Sequence, residues 1–208
     1  MRKLIPSVHA CGLSPLIWTP ISARHANSHR LFFSSSYAHP SLPSRSPTDS
    51  TPPEIISTED GLVALTTPKG WVRADGPGAA YFVPEASTQN PPVCIYLSSA
   101  SIGAKEEAKD MDAYIESDIT NFKRRYKNAV VQREQPLALS LMKLQAPIVT
   151  FRSGEKTNSF EQVVYIPDVG RVWTLVLSAK EEPAFTNSLP ALHDFAQSYR
   201  VTISVSPN

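Results

Sequence analysis

Two stretches of the chain carry apolar residues at helical spacing, and most of the remaining apolar positions alternate or cluster as strands do. In "KDMDAYIESDITNFKRRYK", Met111, Ile115, Ile119, Phe122 and Tyr126 recur at intervals of four and three, with Tyr114 on the flank. A single stripe with a period near 3.6 predicts an amphipathic helix docked on a sheet. Asp110 stands where a side-chain oxygen caps first-turn amides, and Lys123, Arg124, Arg125 and Lys127 gather at the end where the helix dipole favours cations. A second stripe, Phe185, Leu189, Leu192, Phe195 and Tyr199, predicts a terminal helix. Pro190 interrupts it. Because proline inside a helix costs ~3 kcal/mol, this helix is expected to start near Ser188 or Leu189, with Pro190 in its first turn.

The strand signals are shorter. "GLVALTTPKGW" alternates apolar and polar positions, then turns at Pro68 and Gly70, where proline fixes φ and glycine admits positive φ. Trp71 follows as an anchor for a first hairpin that this turn would close. "ADGPG" is a second turn, and "AAYFVP" and "VCIYLSSA" read as a hairpin joined by the polar loop "PEASTQNPP". Beyond the first helix, "AVVQREQPLALSLMKL" holds one strand before Pro136 and one after it, "APIVTFRSG" holds a third, and "GEKTN" is a turn. "SFEQVVYIPDVGRVWTLVLSA" reads as a hairpin turning at "PDVG". Its second strand alternates Val172, Thr174 and Val176 with Trp173, Leu175 and Leu177, so both faces are largely apolar. Such a strand is central and covered on both sides. The expected class is α+β, a mainly antiparallel sheet packed between helices.

The first 57 residues have another texture. Up to Thr48 there is no Asp or Glu, while Ser, Pro and Arg abound, and four of the five histidines fall there. A stretch without periodicity buries too little apolar surface to offset the entropy of ordering. The expected division is a disordered or targeting leader at 1–57, a folded domain at 58–202 and a tail at 203–208. An acid-poor leader is a cleaved address for an organelle or for export, the product of a start codon set too far upstream, or a functional tail. His25 and His29 have ligand-like spacing but no helix pattern, carboxylate or thiol around them, so no metal is expected. Cys11 and Cys94 are too few for a disulfide framework.

The succession of hairpin, helix, antiparallel strands and terminal helix, together with "DGLVALTTPKGWVR" and "DFAQSYRV", resembles the PsbP-like superfamily of small α+β domains. Pro68, Gly70 and Trp71 stand where members carry Pro-x-Gly-Trp, and the resemblance spans about residues 58–201. It implies a sheet sandwiched by helices in a non-enzymatic binding or assembly module. Metal ligands known in the photosystem branch have no matching His and carboxylate set here.

Charge and motifs add little to this. A formal net charge of +1 gives no field that would gather nucleic acid, and no run approaches the ~18 apolar residues of a membrane span. Gly-x-Ser-x-Gly, P-loop, Gly-x-Gly-x-x-Gly and His-Glu-x-x-His patterns are absent from the sequence. His193 is the one histidine of the folded part, and Cys94 lies in an apolar strand as a buried thiol would. No catalytic, cofactor or metal residues are therefore expected. Two contact candidates stand out. Lys123, Arg124, Arg125 and Lys127 form the one local patch of a single sign, either a solvated dipole-complementing end or a surface for an anion or acidic protein partner. Trp71 is either a packing anchor or an aromatic contact. The function expected is a binding or assembly-assisting module in an exported (periplasm or envelope) or organellar compartment. The alternatives are a cytoplasmic chaperone or adaptor holding an apolar partner segment, and then a hydrolase.

Overall fold

The computed structural model describes residues 53–58, 61–74, 80–87, 91–103, 106, 108–154 and 159–200. The leader before residue 53, the tail, most of "ADGPG" and most of "GEKTN" lie outside the described residues. In chain order the elements are β1 (Glu54–Thr58), β2 (Gly61–Leu65), β3 (Trp71–Ala74), β4 (Ala80–Pro84), β5 (Val93–Ser101), α1 (Met111–Arg125), β6 (Val130–Arg133), β7 (Leu137–Leu139), β8 (Leu144–Ala146), β9 (Ile148–Arg152), β10 (Phe160–Asp168), β11 (Arg171–Ala179) and α2 (Glu182–Gln197). Seven strands form one antiparallel sheet in the order β3-β4-β5-β11-β10-β9-β6. β1 with β2 and β7 with β8 form separate hairpins. The fold is α+β.

β11 lies at the centre, between β5 and β10, and its two-sided apolar pattern is used on both faces. Trp173, Leu175 and Leu177 pack with Phe82, Ile95, Leu97, Val164 and Ile166 under Phe185, Leu192 and Phe195 of α2. Val172 and Val176 pack with Val149, Phe151, Val163 and Tyr165 under Ile115, Ile119 and Phe122 of α1. Each buried side chain of this size stabilises by ~1.5–3 kcal/mol, so either helix has ample reason to dock. The β10–β11 hairpin pairs Asp168 with Arg171, leaving Val169 and Gly170 as its two-residue turn, and Gly170 takes φ +70.

Three expectations need correction. β1 is a strand inside the stretch assigned above to the leader: Ile56 is fully buried beside Val63 and Leu65 in the α2-side core. The turn at Pro68 to Trp71 does not close a hairpin, because β2 pairs with β1 and β3 pairs with β4. It instead hands the chain from the β1–β2 hairpin to the edge of the main sheet. The Trp71 amide donates to the Pro68 carbonyl at 3.0 Å, and Gly70 takes φ +77. Finally, α2 starts at Glu182, not near Ser188, and keeps Pro190 in its interior. Phe185 and Ser188, five and two residues before the proline, are buried, and their burial carries the helix through it. Pro190 and Thr186, whose carbonyl loses its helical partner, are both exposed, so water can satisfy that carbonyl.

Candidate protein-binding surface at the basic end of the first helix

α1 forms where its stripe predicts. The Asp110 carboxylate accepts from the Ala113 amide at 2.9 Å, an N-cap at the third helical residue. Ile115, Ile119 and Phe122 are buried against the sheet, and Phe122 meets Phe151 and Tyr126 with ring centroids 4.9 and 4.8 Å apart. The helix ends at Arg125, and the chain turns through Tyr126 to Asn128 directly into β6. Glu116 reaches across to Arg133 of β6 at 2.6 Å, so α1 runs alongside the edge strand that follows it.

Lys123, Arg124, Arg125 and Lys127 are all exposed around this end. Arg124 donates to Asn121 at 2.9 Å, a neutral partner. Arg125 bonds to the Tyr126 hydroxyl and acts electrostatically on the buried Glu161. Among the described residues, none of the four has a carboxylate within ion-pair distance. Elsewhere three arginines are paired: Arg73 with Glu54, Arg133 with Glu116 and Arg152 with Glu182, at 2.6–2.9 Å. The helix dipole accounts for cations in the last turn of α1, but it leaves their outward charge uncancelled. An anionic group meeting this surface would not have to break an existing ion pair.

Beneath the same helix lie two buried carboxyls that the apolar stripe conceals. Asp118 is three residues from Ile115 and four from Phe122, hence on the buried flank of α1, and it accepts a hydrogen bond from the Tyr165 hydroxyl at 3.1 Å. Burial pushes its carboxyl up to about 8, with the Tyr165 hydrogen bond opposing. Glu161 of β10 faces α1, in register with Ser178 of β11 and, beyond it, Cys94 of β5. Its carboxylate meets the hydroxyls of Ser159 and Ser178, both at 3.4 Å. Burial raises it to about 7, against those hydroxyls and Arg125. The Tyr96 hydroxyl is enclosed on the same face and has no hydrogen-bond partner among the described residues. Burial, then Glu161, Cys94, Tyr81 and Asp118, hold it well above its ordinary range. The sequence did carry a signal for both carboxyls: each is a charged residue at an in-facing position of an otherwise apolar pattern.

The second contact candidate lies elsewhere. Trp71 is half-buried at the start of β3, packed against the α2-side core, far along the sheet from the basic end at β6. The structure therefore does not bring Trp71 together with the four cations. Its neighbour Gly70 accepts from the Glu85 amide at 2.9 Å, which ties the turn to the end of β4. His193 of α2 is half-buried, with Nε2 2.8 Å from the Gln162 carboxamide oxygen, and Gln162 in turn donates to Thr150 at 3.0 Å. Burial lowers its proton affinity. This chain of three stitches α2 to β10 and β9. Cys94 of β5 is buried. Among the described residues no group of three or more His, Cys, Asp or Glu is placed to hold a metal, and no helix is long and apolar enough to cross a membrane.

No protein-family model matches the chain, and neither does any curated protein. Solved structures to which it is similar include cyanobacterial PsbP (CyanoP) from Synechocystis sp. PCC 6803, at 14% identity and TM-score 0.46, covering 77% of this chain and 98% of that one. They also include the Ran-binding protein Mog1p of Saccharomyces cerevisiae, at 13% identity and TM-score 0.45, covering 73% of this chain and 96% of that one.

Proposed function

We propose that this chain is a non-enzymatic binding or assembly-assisting module that recognises an acidic region of a protein partner through Lys123, Arg124, Arg125 and Lys127. The observation that carries this reading is that four exposed cations cluster within five positions at one helix end, with no carboxylate in ion-pair distance among the described residues. Exposed cations in a patch raise the encounter rate with an acidic surface and cost little desolvation until contact. A photo-crosslinker at Lys123, compared with one at the exposed Asn187 of α2, tests it in the native cell extract. The expected result is one acidic protein crosslinked from Lys123 alone, and lost when Lys127 is changed to Glu. Equal crosslinking from both positions, or none from Lys123, would overturn the reading.

The module is proposed to act in an exported or organellar compartment, on the strength of the acid-poor segment before β1. N-terminal sequencing of the native protein after fractionation decides this. A start inside that segment, in an exported or organellar fraction, supports it. A chain from Met1 in the cytoplasm replaces it with a cytoplasmic adaptor.

A further inference from the structure

The seven-stranded sheet has two edges, and they are finished differently. At β3, Arg73 is tied to Glu54 of β1 at 2.6 Å, and Glu54 also accepts from Thr67, so the β1–β2 hairpin is anchored at that edge. At β6 the tie is the Arg133–Glu116 ion pair to α1, and among the described residues no hairpin lies beyond the strand. The Glu134 amide donates to the Ile148 carbonyl at 2.9 Å, and the register pairs Gln132 with Thr150 and Val130 with Arg152. Antiparallel ladders alternate, so Val130, Gln132 and Glu134 direct their backbone groups to β9. Val131 and Arg133 direct theirs outward, where no described residue meets them. Two N–H and C=O sets, roughly 7 Å apart, form the free edge. Val130 is exposed beside it, at 59%.

What lies next to that edge decides what can add to it. Glu116 touches Arg133, and residues one and two turns further along the same flank of α1 are Thr120 and Lys123. Lys123 therefore overhangs β6, and Lys127 stands at its entry. A short edge strand flanked by cations is a usual guard against self-pairing. The same cations favour an extended segment bearing carboxylates.

We propose that β6 is the site at which an acidic, extended segment of a partner protein adds as an eighth strand, hydrogen-bonding to Val131 and Arg133 with its carboxylates under Lys123 and Lys127. This rests on the reading of the basic end as an acidic-partner surface, and deepens it from a patch to a register. In strand addition the main chain supplies affinity and alternate side chains supply selectivity.

The test uses the full chain, labelled for NMR, and a ten-residue peptide alternating valine and glutamate, with a valine–lysine peptide as control. The expected result is slowed exchange of the Val131 and Arg133 amides with the glutamate peptide alone. Affinity should fall roughly tenfold or more in K123E/K127E, two surface changes that leave the core untouched. It should be lost in V131P, which removes an outward amide without breaking a β9 bond, the place where an edge strand tolerates proline. The K123E/K127E variant keeps the test decisive if V131P does not fold. Binding of the glutamate peptide that shifts Lys123 and Lys127 but leaves both amides unprotected overturns the strand addition while sparing the surface. Failure of the peptide to bind at all overturns both. Protection of these amides that rises with protein concentration alone assigns the edge to a second copy and overturns the proposal.

Discussion

Asp118 on α1 and Tyr165 on β10 share a hydrogen bond of 3.1 Å across the interface between helix and sheet, and both are buried. Among the described residues the carboxyl has one hydrogen-bond partner and no paired cation, so its ionised form is costly there. Its proton affinity is raised from 3.8 to about 8, and that of Glu161 under the same helix from 4.5 to about 7. A group whose folded-state value lies above its unfolded one binds more protons when folded. Its stabilising contribution is whole below the unfolded value and is lost as pH rises through the folded one.

Stability is therefore expected to fall between about pH 4 and pH 8, by at most about 1.4 kcal/mol per pH unit for each carboxyl. Asp118→Asn and Glu161→Gln keep an acceptor for the neighbouring hydroxyls and abolish the titration. Each should flatten that slope and raise the melting temperature at pH 8 relative to the parent, with a smaller effect at pH 5. Thermal unfolding across that range measures it. An unchanged slope in the double variant would show that neither carboxyl is buried as described.

Tyr96 and Tyr165 make a matched pair of tests. Among the described residues the Tyr96 hydroxyl is enclosed without a hydrogen-bond partner, whereas that of Tyr165 is the one partner of Asp118. Tyr96→Phe removes an unsatisfied group and should be neutral or stabilising by up to about 1 kcal/mol. Tyr165→Phe strands a buried carboxyl and should destabilise by about 1–3 kcal/mol, more at pH 8 than at pH 5. Denaturant midpoints at the two pH values separate them. Equal losses in both would contradict the assigned partners.

Elements with long, strict periods were legible in the sequence; those set by competition were not. The stripe from Met111 to Phe122 and the two-sided strand around Trp173 both predict their surroundings. The local rule about Pro190 places the start of α2 too late, because Phe185 buries at 2% exposure only once the sheet exists. β1 escapes the sequence pattern for the same reason. "EIIST" is five residues in a proline-rich stretch, and it becomes a strand through pairing with β2 and the burial of Ile56. The four cations were visible from the start. That they lack carboxylate partners among the described residues, and that β6 ends the seven-stranded sheet beside them, depends on which residues the topology places opposite, and no periodicity encodes that.

Pro190 gives a direct measure of what packing overrides. Alanine at this exposed position would restore a helical amide to the Thr186 carbonyl, worth up to ~3 kcal/mol on the interior scale. Two effects reduce the gain: water already serves that carbonyl, and proline restricts the unfolded chain by ~0.4–1 kcal/mol. Pro190→Ala is expected to stabilise by roughly 1–2 kcal/mol. A loss of stability would mean that the helix needs the bend proline imposes, and chemical denaturation reads the sign directly.

Trp71 is the residue on which packing and contact readings diverge most sharply. It begins β3 after Pro68 and Gly70, lies half-buried on the α2-side core, and pairs in register with Pro84. As an anchor it holds the crossing from the β1–β2 hairpin to the sheet, so Trp71→Ala should cost roughly 2 kcal/mol, below the 3–5 typical of a fully buried tryptophan. Trp71→Phe should recover most of that, because an aromatic ring still fills the site. As a contact for a partner, either change would weaken binding and leave unfolding nearly unmoved. Its position on β3, at the opposite edge from β6, predicts the first pattern: stability falls in the alanine variant, while the acidic peptide binds at the β6 edge with unchanged affinity.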